Sequence, residues 1–250
     1  MGEGRRVLVA GVASPSSVGV AIAAELCRRG ARVWCTAAPH RAEACREVLA
    51  GLDVELVELD PRDTDAFGER LAGLDVLDAV IHAQVLAPPE VLARRFTEVG
   101  SQDFARVMTG SVHSLVALCG ATREALCRGR EPRVLTLSST LAERVAPRYH
   151  VAGVAKAALE ASVRYLAAEL GRDGILCNAL RFSLVATDGA RGALGEAACE
   201  GTRAYVARRA LDRRPLELDA VVQAARWLTS SEATLTGQVL TVDGGEALAY

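Results

Sequence analysis

A chain of 250 residues, half of them hydrophobic, can bury a substantial core, and with only 4% aromatics that core must be built from Ala, Val and Leu. Basic and acidic side chains nearly cancel, 29 against 31, with the signs interspersed, which argues against a nucleic-acid groove or a membrane-surface patch and for a small-molecule site. The seven cysteines (Cys27, Cys35, Cys45, Cys119, Cys127, Cys177 and Cys199) contain no C-x-x-C pair, so they read as reduced thiols in a cytoplasmic protein rather than as a disulfide framework or zinc pattern. Residues 1–6 lead straight into a strand without an apolar leader, and no run reads as long enough to span a bilayer. His40, His82, His113 and His150 show no metal-ligand spacing, so no metal is expected.

In chain order, residues 7–10 form an apolar run ended by Gly11, and the small-residue segment 12–19 leads into a helical pattern over 20–29. Strand, tight loop and helix is the arrangement that cradles a pyrophosphate. Gly11 permits the turn, Ser17 can cap the helix while facing phosphate, and Gly19 allows close helix–sheet packing; the spacing is not G-x-G-x-x-G. A second strand is expected over 32–36, followed by Ala37-Ala38-Pro39-His40-Arg41. An acid that would bind the adenosine ribose is missing here, and His40 and Arg41 lean towards a 2′-phosphate. A helix over 41–50, a strand over 54–59, a helix over 63–71 and a fourth strand over 76–82 follow. Asp60-Pro61 closes the third strand on the ligand edge, where Asp60 can accept from an adenine amino group or cap the next helix.

After the loop at Ala87-Pro88-Pro89, residues 96–127 carry a long helical pattern broken near Gly110. A fifth strand over 133–137 ends in Ser138-Ser139-Thr140, and a helix runs through Leu170. A sixth strand over 175–180 precedes segment 183–212, rich in Ala, Gly and Arg and expected to form a mobile cover over the ligand edge. A helix over 219–229, capped by Glu217 or Asp219, and a strand over 238–242 close the chain. This β-α alternation predicts an α/β fold: one Rossmann-like, doubly wound parallel sheet with helices on both faces, making residues 1–250 a single domain.

The chemistry centres on residues 149–156. Lys156 is the only lysine in the sequence, and it stands seven residues after Tyr149. An ammonium is a compact point charge on a flexible stem, which a wide guanidinium fork cannot replace where a ribose hydroxyl and a phenol must be reached together.

These features resemble the short-chain dehydrogenase/reductase superfamily, and within it the divergent branch of bacterial enoyl-acyl-carrier-protein reductases. The stretch Gly11-Val12-Ala13-Ser14-Pro15-Ser16-Ser17-Val18-Gly19 is similar to that branch's G-x5-S-x-A loop. Tyr149-x6-Lys156 has its spacing, where most of the superfamily uses Tyr-x3-Lys and would place tyrosine at Ala152. Glu143-Arg144, helix 157–170 and the tail from Leu235 to Gly245 match as well.

The resemblance implies NADH or NADPH as cofactor and a small-molecule or carrier-bound acyl substrate, in a homotetramer that engages neither nucleic acid nor membrane. Tyr149 would polarise and protonate the substrate oxygen, and Lys156 would bind the nicotinamide ribose while its charge favours the phenolate. Gly11, Ser17 and Val18 would hold the pyrophosphate, Ala38, Asp60 and Pro61 the adenosine, Ala83 the cofactor's centre and Thr187 the nicotinamide side.

Three departures mark this chain. Ser139 replaces the branch's aromatic residue with the hydroxyl that the wider superfamily uses to steady a carbonyl, which opens a ketone or imine reductase reading. Against that, Asn178 is the only asparagine, so the larger group's tetrad is not assembled. Ser183-Leu184 replaces a Pro-Gly pair beside the nicotinamide, and Gln84-Val85 stands where a glycine approaches the cofactor. These changes suggest a specialised, polyketide-like or fatty-acid-like substrate, and also motivate a non-redox enzyme or cofactor-binding regulator that keeps the fold. Arg191, Arg203, Arg208 and Arg209 would meet a phosphopantetheine or acidic carrier, or else are solvated surface charges.

Overall fold

The computed structural model describes residues 4–248. Its strands are β1 (Arg6–Ala10), β2 (Arg32–Ala37), β3 (Val54–Glu58), β4 (Ala79–His82), β5 (Arg133–Ser139), β6 (Leu176–Phe182) and β7 (Val239–Val242). They form one sheet in the order β3-β2-β1-β4-β5-β6-β7, with every neighbouring pair parallel. The helices are α1 (Val18–Arg28), α2 (Ala42–Val48), α3 (Phe67–Leu71), α4 (Pro89–Leu92), α5 (Ser101–Met108), α6 (Ser114–Cys127), α7 (His150–Leu170), α8 (Asp188–Leu194), α9 (Glu196–Arg209) and α10 (Leu218–Leu228).

Val7, Leu8, Val9 and Ala10 are all fully buried because both faces of β1 are covered, which is why the sequence shows a continuous apolar run instead of alternation. Leu8 and Ala10 face a core completed by Leu115 and Leu118 of α6 and Leu159 and Val163 of α7. Val7 and Val9 face the opposite core, with Ile22 and Leu26 of α1 and Val221 and Leu228 of α10. The chain builds outward from β1 to β3, then returns to place β4 on the other side of β1. The crevice beyond the carboxyl ends of β1 and β4 is therefore the switch point at which such sheets bind ligands.

Several element boundaries differ from expectation for identifiable reasons. The fourth strand begins at Ala79, because the buried Asp78 carboxylate closes the amino edge, accepting from Arg6 N at 2.8 Å, Arg6 Nη2 at 3.0 Å and Arg130 N at 2.6 Å. The pattern at 41–50 resolves into a 3-10 turn, Pro39–Arg41, followed by α2. The long pattern at 96–127 contains a 3-10 turn, α5, a π-turn at Thr109–His113 and α6, so the break at Gly110 is a widened turn inside a continuous helix. That continuous stretch, Ser101–Cys127, is long and apolar enough to cross a membrane by length and composition alone, which corrects the expectation that no run reaches that length. It is spent on the core instead, since Val107, Leu115, Leu118 and Leu126 are fully buried. Segment 183–212 holds α8 and α9. Neither proposed cap closes α10: Glu217 occupies the N-cap position without a capping bond, and its carboxylate accepts from Arg203 at 2.6 Å.

Gly129, in the bend after α6, lies tight against the segment that leads into β4, because a Cβ there would fall 1.8 Å from the Leu77 carbonyl oxygen. Gly129→Ala is expected to cost about 3 kcal/mol, since backbone must move to admit the methyl. Gly201→Ala, in an exposed part of α9 with nothing within 4 Å, should instead stabilise by about 0.5–1 kcal/mol. Denaturation midpoints of the two variants check the opposite signs.

Candidate active site

β5 delivers Ser138 and Ser139 to the carboxyl edge, and a 3-10 turn at Thr140–Ala142 leads towards α7. Ser139 caps that turn, its Oγ accepting from Leu141 N at 3.2 Å, which leaves the hydroxyl proton free for another acceptor. Tyr149 is the N-cap residue of α7, one position outside the helix, and Lys156 lies about two turns further along. The buried stripe Val151, Ala152, Ala155, Leu159 and Val163 presses α7 onto the sheet and carries Lys156 inward with it.

Lys156 is 6% exposed, and its Nζ donates to the Leu137 carbonyl at 2.7 Å, so two of its three N–H groups remain available. Burial brings its pKa down to about 8, with the Glu160 carboxylate pulling the other way. Tyr149 is partly buried. Loss of hydration raises its phenol above the ordinary value, while interaction with the Ser139 side chain works in the opposite direction. The hydroxyl at the end of β5 and the phenol at the start of α7 are thus brought together.

His82, at the end of β4, is fully buried, with Nδ1 2.9 Å from Thr136 Oγ1 and Nε2 2.9 Å from Ser114 Oγ. Burial first, and the charge of Lys156 second, depress its pKa to about 3, so it is a neutral polar bridge between β5 and α6.

The groove at the carboxyl edge starts at Gly11, whose φ of +104° favours glycine. A Cβ there would lie 2.6 Å from Gln84 Cγ and 2.9 Å from Gln84 N, so the close approach of β1 and β4 depends on its absence. Gly19 lies as close, a Cβ there meeting the Gly11 carbonyl oxygen at 3.0 Å. Ser17 stands at the N-cap of α1 but makes no capping bond, and its buried hydroxyl has no partner. An unpartnered, buried hydroxyl at a helix N-terminus, beside a glycine floor, fits a pyrophosphate oxygen. Val18 opens α1 next to it, and Ala83 N donates to Ala10 O at 2.7 Å across the same floor. The side chain over Gly11 is that of Gln84, which is buried with its amide oxygen unpartnered, whereas Val85 is 50% exposed.

Further along the same edge, Ala38 follows β2 and Asp60-Pro61 follows β3. The Asp60 carboxylate holds the Arg62 guanidinium at 2.6 Å and Arg62 N at 2.9 Å; those bonds keep its pKa below the usual carboxylate range and it does not cap the next turn. On the far side, Thr187 caps α8, its Oγ1 accepting from Ala190 N at 3.2 Å. The first residue of α8 is tied to the phosphate loop: Asp188 N donates to Ser16 Oγ at 2.6 Å and Ser16 N to Asp188 Oδ2 at 3.3 Å. Segment 183–212 thereby touches the rim of the groove.

Sequence reasoning named His82 and Gln84 without giving either side chain a role at the site, and it overlooked Glu160 and Arg181. The signal for the last was present as one arginine beside a strand that is apolar but for Asn178, where a charge requires a buried partner.

A doubly wound parallel sheet with a glycine-floored phosphate loop and a serine, tyrosine and lysine at its carboxyl edge defines the short-chain dehydrogenase/reductase class. Within that class the chain belongs to the family whose model is described as enoyl-(acyl carrier protein) reductase, which it matches over residues 11–246. It is 33% identical to the NADH-dependent enoyl-acyl-carrier-protein reductase FabI of Neisseria meningitidis serogroup B, over 98% of this chain and 96% of that protein. Its fold is similar to the enoyl-acyl-carrier-protein reductase of Bacillus cereus with NADP+ and indole naphthyridinone, with a TM-score of 0.89, 30% identity and full coverage of both chains. The reductase of Anaplasma phagocytophilum in complex with NAD superimposes with a TM-score of 0.90 and 30% identity over 100% of this chain and 97% of that one.

Two outcomes follow. Ser17→Ala should weaken NADH or NADPH binding about 5- to 30-fold by calorimetry, through loss of one phosphate hydrogen bond. Burying Lys156 costs about 3 kcal/mol at neutral pH, given its drop from 10.5 to about 8. Because its folded pKa lies below the unfolded value, that cost is present in full below pH 8 and disappears as pH rises towards 10.5. Lys156→Met should therefore stabilise the cofactor-free protein at pH 7 and gain progressively less between pH 8 and 10.5, as read from unfolding midpoints.

Proposed function

We infer that the chain is an NAD(P)H-dependent oxidoreductase that reduces an enoyl thioester or related conjugated substrate. The observation that carries this reading is the buried Lys156, two N–H groups unspent, following Tyr149 along α7 at the carboxyl edge of a glycine-floored groove. A nicotinamide held in the groove would supply hydride chemistry for the substrate β-carbon.

The protein's own side chains manage the charge that results. As negative charge gathers on the thioester oxygen, the Tyr149 hydroxyl donates to it and then transfers its proton, giving an enol that tautomerises as a solvent-derived proton adds to the α-carbon and the oxygen releases its own. The ammonium of Lys156 lowers the energy of the phenolate left behind. Lys156 uses its remaining N–H groups to orient the ribose, and Ser17, Val18 and Gly11 hold the pyrophosphate. Ala38, Asp60 and Pro61 border the adenosine, Ala83 the centre of the cofactor, and Thr187 the nicotinamide side. Ser139 supplies a second hydroxyl beside the phenol, and segment 183–212 covers the substrate.

The proximity of Ser139 to Tyr149 favours a second reading, reduction of a ketone or imine, because two hydroxyl donors beside one another suit a carbonyl oxygen. The family relationship and the cysteines, all of them free among the described residues, support work in fatty-acid-like biosynthesis in a reducing cytoplasm, on an acyl group delivered by a carrier. Exposed apolar side chains on α6 and α7, Val116, Val154 and Tyr165, support assembly as a homotetramer.

With a crotonyl thioester and NADH or NADPH, cofactor absorbance should fall, and Tyr149→Phe should reduce kcat about 100-fold or more while leaving cofactor affinity in place. Turnover of a matched ketone with an inert crotonyl thioester would instead establish the second reading. Failure to bind either cofactor would identify a protein that has kept the fold and lost the redox reaction.

A further inference from the structure

Behind Lys156 lies a charged cluster that the reaction as described does not use. Glu160 stands one helical turn beyond Lys156 on the same face of α7, a spacing that sets Cβ atoms about 5–6 Å apart. Both residues are only 6% exposed, so water screens their interaction weakly. Yet the Glu160 carboxylate is not spent on the ammonium. One oxygen accepts from Ser138 Oγ at 2.6 Å and from Arg181 Nε at 2.9 Å, and the other accepts from Arg181 Nη2.

Arg181, from β6, also donates to Glu143 in the loop before α7, at 2.7 Å. Its side chain is 12% exposed, so it forms a nearly buried cation on the far side of Glu160 from the helix that carries Lys156. His82 on β4, pinned by two hydroxyls and neutral, also feels the Lys156 charge, and Tyr149 stands at the N-cap of the helix that carries the lysine.

We propose that Glu160, held by Arg181 and Ser138, is a positioning residue for Lys156, and that Arg181 limits how much of the Glu160 charge the lysine feels. An unshared Glu160 would capture the ammonium in a direct ion pair and withdraw it from ribose and phenol. Tied to Arg181, it is neutralised enough to leave the Lys156 N–H groups free, yet still offsets part of the cost of burying a second cation. The cluster thereby keeps the lysine close to the boundary between ammonium and amine. This inference rests on the assignment of Lys156 to a working site, but its test does not depend on turnover.

Because the chain has a single lysine, labelling lysine with carbon-13 at Cε gives one side-chain resonance that can be titrated without ambiguity. In the wild-type protein the midpoint should fall at about pH 8. Glu160→Gln, which keeps the size and the Ser138 contact, should lower it, and Arg181→Met, which leaves the carboxylate unshared, should raise it, each by about one pH unit. Opposite shifts from the two halves of one ion pair are the signature expected. A purely structural role would loosen the site in both variants and move both midpoints up towards the solution value, and that result, or no shift in either, overturns the proposal.

An unfolded variant is recognised by a lysine resonance at its random-coil position. In that case the double variant Glu160→Gln/Arg181→Met carries the test, since removing a buried pair together is commonly tolerated. Its midpoint should stay near that of the wild type, and one close to the solution value overturns the proposal. In an enoyl thioester assay the alkaline limb of kcat should move with the resonance midpoint in each folded variant. Absence of turnover with opposite NMR shifts would contradict the enoyl reductase assignment while leaving the charge-setting cluster standing.

Discussion

Everything at the carboxyl edge depends on burying one ammonium. Lys156 is drawn under the sheet's rim by the apolar stripe of α7, and one bond to the Leu137 carbonyl fixes its direction without exhausting its donors. The surroundings are arranged to tolerate that charge: His82 stays neutral and Glu160 supplies a shared negative charge. The stability given up in holding this group out of water is available to the reaction as a preformed electrostatic environment.

The fold serves this arrangement by placing three strand ends side by side. β1 brings the glycine floor, β4 brings Ala83 and Gln84, and β5 brings the two serines, with α7 returning over them to add phenol and ammonium. The reciprocal bonds between Ser16 and Asp188 join the loop after β1 to the first turn of α8, so that loop and segment 183–212 meet across the groove.

Much of this was legible in the sequence, for a physical reason. A parallel sheet buried on both faces writes itself as short, continuous apolar runs, and β1, β2, β5 and β6 were all visible in that form. The seven-residue offset from Tyr149 to Lys156 is local: it sets one at the N-cap of α7 and the other about two turns into the helix. Boundaries set by distant partners were not legible. The fourth strand was read three residues too long because nothing local shows that Asp78 turns to Arg6 and Arg130 across the edge of the sheet. Helix Ser101–Cys127 was misjudged in the same way: its apolar length is explained by the faces of α3, α7 and the sheet that it packs against, which only the folded chain brings near. The Arg181–Glu160 pair spans two elements 21 residues apart, so each member looked like an isolated charge.

The central claim, that this site moves a hydride to the β-carbon of a conjugated thioester with Tyr149 supplying the proton, is tested most directly by isotope placement. With cofactor deuterated at the transferring position and a crotonyl thioester, mass spectrometry of the product should find one deuterium at the β-carbon and a solvent-derived hydrogen at the α-carbon. A product without deuterium, or deuterium appearing only at the carbonyl carbon of a ketone substrate, would contradict it.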